Sequence, residues 1–252
     1  MDQNHSGAPG LEYVVKFRQG KPGAAALISE VVCACLFEIA GVHVPEVALV
    51  HVRAALADSY TRSAVAPYPV EPGLHFGTRF IANAYPGPPT TFQQIADPQQ
   101  LVDIWVVDCW VMNVDRMNYG NILMSPDGRG RWRLTAADQS DCFGGSRTFS
   151  SGSAPYATRG CLEPYKFLER AVTEAGGIRS IRKSIDGVRK AAGYLELAIT
   201  RIPDSWWSQS GVIPGLVIDG LRQRASRIEE IIKVAYWEGI SDAGRGGTVL
   251  DL

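Results

Sequence analysis

The stretch Leu101–Val114, LVDIWVVDCWVMNV, is apolar nearly all round. That is the pattern of a helix enclosed on every side by its own protein, so this segment fixes where the centre of the fold must lie. Asp97 suits an N-cap and Pro98 a first helical turn, which sets the start of the element. The helix runs directly into a polar cluster, Asn113-Val-Asp115-Arg116-Met-Asn118-Tyr-Gly120-Asn121. The densest group of carboxylates and amides thus follows the most buried element.

Two short strands are expected after that cluster, Ile122–Met124 and Arg131–Thr135, with Ser125-Pro-Asp-Gly128 suiting a type I turn between them. The second strand ends at Ala136-Ala-Asp138-Gln-Ser-Asp141-Cys-Phe143, which brings a second carboxylate to the same end of the hairpin. Residues 144–160 are rich in Gly and Ser without periodicity and read as a mobile surface loop. Beyond it the pattern is helical, near 163–176, 178–191, 192–201 and 214–238, with Ser205-Trp206-Trp207 in a connection.

Toward the N-terminus, Glu12–Phe17 (EYVVKF) is a β-branched and aromatic run between Gly- and Pro-rich flanks, so Lys16 sits in a strand. Ala24–Ala40 has apolar residues at helical spacing and stops at Gly41. Strands at Val47–Val52 and His75–Ala82 follow, separated by a loop of about twenty residues, giving an order β-α-β-β. The prolines of Tyr85-Pro-Gly-Pro-Pro89 then stiffen the chain as a connector between two bodies, residues 1–86 and 87–252.

A chain of 252 residues accommodates one domain or two closely packed lobes. With 46% hydrophobic and 20% charged residues its composition is that of a soluble globular protein. A formal charge of −1 gives no overall electrostatic footprint for nucleic acid or anionic membranes. The first residues, MDQNHSGAPG, carry neither a basic segment nor an apolar core, and no membrane span stands out, so a cytoplasmic location is expected. Five cysteines, Cys33, Cys35, Cys109, Cys142 and Cys161, with no CxxC pair, read as reduced and mostly buried thiols. The basic run Arg179, Arg182, Lys183, Arg189 and Lys190 reads as a solvated helix face.

Phosphoryl transfer asks a protein mainly for a cation on the phosphates, oxygen ligands for Mg²⁺ and a carboxylate that aligns the nucleophile. The sequence has a candidate for each. Asp115, Asn121 and Asp138 flank one hairpin and can converge on a hard cation, while Lys16 is followed fourteen residues later by Glu30 on a helix. Taken singly, a strand lysine is usually solvated and Asp, Asn and Gly are common turn formers. The combination is what points to chemistry.

Three blocks carry a resemblance to the HipA-like kinases, and more distantly to the protein and phosphoinositide lipid kinases: YVVKF with LISEVVCACLFEIAGVHVPEVALV, FGTRFIA, and VVDCWVMNVDRMNYGNILM with LTAADQSDCF. The resemblance implies an α+β, two-lobed kinase-like fold with a small β-rich N-lobe carrying one helix and a larger, mainly helical C-lobe. It implies an ATP- and Mg²⁺-dependent enzyme acting on a hydroxyl acceptor, a protein serine or threonine or else a small molecule; a nucleotide-binding pseudokinase without turnover is the reading from another class. Lys16 becomes the lysine on the nucleotide phosphates, Glu30 its ion-pair partner, Asp115 the catalytic aspartate, Arg116 its catalytic neighbour, and Asn121 and Asp138 the metal ligands. Asp115 and Asn121 are six residues apart where the family usually has five, so either the loop bulges or Asn118 shares a nucleotide- and metal-binding role. Gly7 and Gly10 offer a partial substitute for a phosphate-covering loop.

Overall fold

The computed structural model describes residues 10–19, 23–63, 68–87, 92–116, 118, 120–143 and 167–242. The expected loop at 144–160, Gly7, Cys161 and the end of the proline connector lie outside the described residues.

The N-terminal part runs β1 (Tyr13–Lys16), α1 (Gly23–Ala40), β2 (Val47–Val52), α2 (Ala54–Thr61) and β3 (Gly73–Arg79). The three strands form an antiparallel sheet in the order β1-β3-β2. Helix α2 occupies what reads in the sequence as a long loop. Of its eight residues only Ala57 is buried, so it leaves almost no hydrophobic period to detect. It covers one face of the sheet through a small cluster of Val52, Ala57 and Val70, with Phe17, Val50, Tyr60 and Tyr68 packed around it.

Helix α3 (Pro98–Val111) is the enclosed element that its sequence requires, and every residue from Gln99 to Val111 is buried. The Asp97 carboxylate accepts a hydrogen bond from the Gln99 N–H at 3.0 Å, the N-cap that the sequence implies. The helix ends three residues before Val114, because Met112 turns left-handed with φ 54°. Its last carbonyls are met by Arg224, which donates to Trp110 O at 2.7 Å and Cys109 O at 2.6 Å.

A second antiparallel sheet consists of β4 (Tyr85–Pro86), β5 (Ile122–Pro126) and β6 (Trp132–Ala136), in that order. The expected connector therefore begins as an edge strand, where a proline is tolerated, with Tyr85 opposite Met124. The hairpin turn is wider than the sequence implies. Pro126 pairs with Trp132, and the Asp127 carboxylate closes the loop by accepting from the Arg129 N–H at 2.7 Å and the Arg131 N–H at 3.0 Å.

Among the described residues that follow there are six helices: α4 (Leu168–Glu174), α5 (Ile178–Ala192), α6 (Leu195–Thr200), α7 (Asp204–Ser210), α8 (Pro214–Ser226) and α9 (Ile228–Asp242). The tryptophan pair lies in α7 rather than in a connection, and the expected last helix is divided at Arg227. One hydrophobic cluster runs from α1 through α3 to α9. Helix α1 is long and apolar enough to match a membrane span by length and composition, but 78% of it is buried inside the protein. It packs mainly on α5, α6 and α7, and at the α1–α5 crossing a Cβ on Gly187 would come within 2.6 Å of Ala40 O. The indole N–H of Trp206 in α7 donates to Leu74 O in β3 at 3.3 Å, which ties the first sheet to the helical body.

Candidate functional site

Strand β1 presents Lys16, helix α1 presents Glu30, and the turn after β6 presents Asp138. Lys16 Nζ lies 2.5 Å from Glu30 Oε1 and 2.6 Å from Asp138 Oδ1, so one ammonium bridges two carboxylates from distant parts of the chain. The Lys16 side chain is 32% exposed while that of Glu30 is 2% exposed. The Glu30 carboxylate has a second fixed partner, the Gln139 N–H, which donates to Oε2 at 2.8 Å. Glu38, the other acid on α1, is exposed and lies two turns farther along the helix.

Burial raises the Glu30 carboxyl to about 7, against the pull of the Lys16 charge. Burial also pushes Asp138 upward, but the Lys16 ammonium and the Ser140 hydroxyl outweigh it and hold Asp138 down at about 2. For Lys16, burial acts downward and the two carboxylates together prevail, leaving it above its ordinary value. The state favoured around neutrality is therefore a charged lysine and a charged Asp138, with Glu30 near its midpoint.

Asp138 is itself held in a left-handed conformation, φ 53°, which Asp tolerates better than most residues. Its Oδ1 accepts from the Ser140 hydroxyl at 2.6 Å and its N–H at 3.3 Å, an Asx-type turn that keeps the carboxylate at the mouth of the β6 strand.

Asp115 and Asn121 meet across the polar loop after α3. The Asn121 amide nitrogen donates to Asp115 Oδ2 at 2.9 Å and to Asp115 O at 2.7 Å. Between them the Asn118 N–H donates to Asp115 O and the Asn121 N–H to Asn118 O, so the extra residue is taken up in a compact turn. Asn118 is exposed, whereas Asn121 is 4% exposed with its amide nitrogen committed to Asp115.

Arg116 points into the core. Its guanidinium makes a bidentate pair with Asp108, at 2.8 and 3.0 Å, and donates to Asn121 O, Ala137 O and Gln139 Oε1 at 2.5, 2.6 and 2.7 Å. Sequence reasoning puts Arg116 with the catalytic groups. In the structure it is 2% exposed with its donors taken up by protein acceptors, which is the position of a brace. Asp108 also accepts from the Asn113 amide at 2.9 Å, and Asn113 Oδ1 accepts from the Asp115 N–H at 3.0 Å.

These bonds form one continuous path from Lys16 through Glu30, Gln139, Arg116 and Asn121 to Asp115. Gln139 on this path and Ser140, which holds Asp138, are the two residues that sequence reasoning misses. Their only signal is position, immediately after an acid at a strand end. Asp141 stands apart, contributing its carbonyl to the Val114 N–H at 3.3 Å.

A hard cation such as Mg²⁺ prefers oxygen ligands and usually takes one or two carboxylates, completing its shell with phosphate oxygens and water. Asp138, partly exposed beside Lys16, and Asn121, which donates to Asp115 through its nitrogen and so retains its side-chain oxygen, fit such a donor set. The arrangement combines a cation, two partly exposed carboxylates and an amide, which suits binding and orienting a polyanion together with a metal ion.

Residues 6–129 match the family model described as HipA-like kinase. The whole architecture is similar to the crystal structure of a Helicobacter pylori proinflammatory kinase, CtkA, at a TM-score of 0.52 and 13% identity, covering 94% of this chain and 93% of that one. That likeness shows a kinase-like fold. No curated protein matches the chain in sequence.

Proposed function

We propose, from the chain's resemblance to the HipA-like kinases over residues 6–129, that it is an ATP- and Mg²⁺-dependent kinase that transfers a phosphoryl group to a hydroxyl acceptor. The observation that carries this reading is the Lys16 ammonium set between Glu30 and Asp138. Such a lysine, fixed on one side by a buried acid, can release Asp138 to a metal ion and turn its charge to phosphate oxygens.

In this reading the nucleotide lies between an N-lobe, residues 1–86, and a C-lobe, residues 87–252. Val14 precedes Lys16 by two residues and so shares its face of β1; it is 52% exposed and would cover the base from above. Leu123, two residues after Asn121 and on the opposite face of β5 from buried Ile122, is a candidate for the floor. Asp138 and Asn121 would hold Mg²⁺, which when bound neutralises phosphate charge. Asp115, kept in place by Asn121 and the Asn113 amide oxygen, accepts the proton of the acceptor hydroxyl and orients its oxygen. Arg116 acts through others, fixing the Asn121 and Ala137 carbonyls that frame the site. Asn118, exposed at the loop tip, is available to the nucleotide or the acceptor.

The acceptor is taken to be a protein serine or threonine, with a small molecule as the rival. Incubation with labelled ATP and Mg²⁺, a serine and threonine peptide set and a metabolite panel separates the two. Asp138→Ala should abolish Mg²⁺-dependent ATP consumption; an unchanged rate refutes the assignment, and ATP-dependent thermal stabilisation with no consumption by the unaltered chain would support a pseudokinase instead.

A further inference from the structure

Asp138 stands between two residues that are both fastened to one guanidinium. Arg116 Nη1 donates at 2.6 Å to the carbonyl of Ala137, the residue before it, and Arg116 Nη2 donates at 2.7 Å to the side-chain oxygen of Gln139, the residue after it. The backbone of Asp138 passes between these anchors in the left-handed region, φ 53°. The same Nη1 also donates to Asn121 O, which accepts a second bond from the Ala137 N–H at 3.0 Å. One buried cation thus fixes the chain on both sides of Asp138 and at Asn121, the two residues whose side chains fit a metal ion.

Gln139 completes that frame. It is 2% exposed, and each of its polar groups has a partner. Oε1 accepts from Arg116, Nε2 donates to Ala136 O at 3.2 Å, the carbonyl accepts from the Cys142 N–H at 3.2 Å, and the main-chain N–H donates to Glu30. The two ends of the residue therefore hold different parts of the molecule. Its N–H is tied to α1, which carries Glu30, while its carboxamide is tied to the loop after α3, which carries Asp115, Arg116 and Asn121. An apolar side chain of similar volume would fill the same space, and Arg116 would keep its bidentate bond to Asp108. Neither packing nor charge compensation calls for an amide here.

We propose that Gln139 is a positioning residue, whose carboxamide holds the Asp138 turn in register with Asn121 so that both can serve one metal ion. Without that bond, the charged ties left at and after Asp138 run to Lys16 and Glu30, so the turn would follow β1 and α1 rather than the loop that carries Asn121. Mg²⁺ demands near-ideal octahedral geometry, and a ligand slightly out of place is felt in affinity. The inference rests on the kinase reading for the metal role of Asp138 and Asn121, and adds a residue that touches neither metal nor nucleotide.

The test measures Mn²⁺, a paramagnetic substitute for Mg²⁺, binding to the full chain with β,γ-imido ATP present, from the loss of the free-ion electron paramagnetic resonance signal. Gln139→Met should weaken Mn²⁺ binding by about tenfold, the usual worth of a group that orients a metal ligand, while binding of the analogue in EDTA stays unchanged. Ile232→Val, a cavity-forming change in the core face of α9, lowers stability without touching this frame and should bind Mn²⁺ as the unaltered chain does. Gln139→Asn, one methylene short of Arg116, should show the same weakening, and keeps the test open should the methionine variant fail to fold. Binding unchanged in the Gln139 variants, or weakened no more than in Ile232→Val, overturns the proposal and leaves the kinase reading intact. An unaltered chain that binds Mn²⁺ with the analogue but never consumes ATP removes catalysis from that reading, and the loss in Gln139→Met would still uphold the positioning role. If the unaltered chain binds no Mn²⁺, both fall.

Discussion

Arg116 and Asp108 are both almost fully enclosed, so each depends on the other for charge compensation. Breaking a buried pair by removing one partner typically costs about 3–5 kcal/mol. Arg116→Met should therefore lower the unfolding free energy obtained from urea curves by an amount in that range, and a second change, Asp108→Asn, should restore part of it. Asp115 is different, since it is partly exposed and its loss strands no buried charge. Asp115→Ala should keep the fold and nucleotide binding while slowing phosphoryl transfer by about 10²–10⁴, the usual worth of a positioned base, measured by single-turnover kinetics. Glu30 adds a pH dependence. Its folded value of about 7 lies above the ordinary 4.5, so the stabilisation it contributes is complete below that ordinary value and is lost as pH rises through 7. Asp138, at about 2 against 3.8, contributes above its ordinary value and loses that only as pH falls toward 2. The stability difference between the unaltered chain and Glu30→Gln should consequently shift by about 2 kcal/mol against the unaltered chain between pH 5 and pH 8. Equal differences at both values would remove Glu30 as the titrating group.

At the α1–α5 crossing the helices approach so closely that position 187 has no room for a side chain. Gly187→Ala should destabilise by about 1–3 kcal/mol, because the obstacle is the Ala40 carbonyl of the main chain, which cannot rotate away. Gly215→Ala, where a Cβ meets nothing within 4 Å, should be neutral or stabilising by up to about 1 kcal/mol; thermal unfolding distinguishes the two. The elements with strong periods or strong punctuation were legible from sequence. Helix α1 is bounded by Gly41, α3 by Asp97 and Pro98, and strand β2 matches its expected limits residue for residue. Helix α2 was not, because a helix that buries one alanine has no apolar stripe. The α8–α9 break at Arg227 was hidden for the opposite reason, an amphipathic pattern that runs across it. The candidate residues could be singled out because their types and order are distinctive. Their bonding could not: nothing local to Arg116 says that it faces Asp108 rather than solvent, and Gln139 gains its place only when α1 packs beside β6.

A division at residue 86 would cut the chain without separating its hydrophobic core. Residues of α1 belong to the same hydrophobic cluster as α3, α5 and α9, so cutting the chain there should leave neither fragment folded. The intact protein should unfold in one transition, with coincident urea curves by fluorescence and circular dichroism. Two separated curves would mean independent lobes. The Gly187 contact and the Trp206 bond to Leu74 have a kinetic corollary. Many two-lobed enzymes swing open to let product go, and that motion sets their turnover. Here the helix bearing Glu30 is keyed into the helical body on one side, and the sheet bearing Lys16 is stitched to that body on the other. Traffic of nucleotide would then pass through a cleft of fixed width, and turnover should be indifferent to added viscogen.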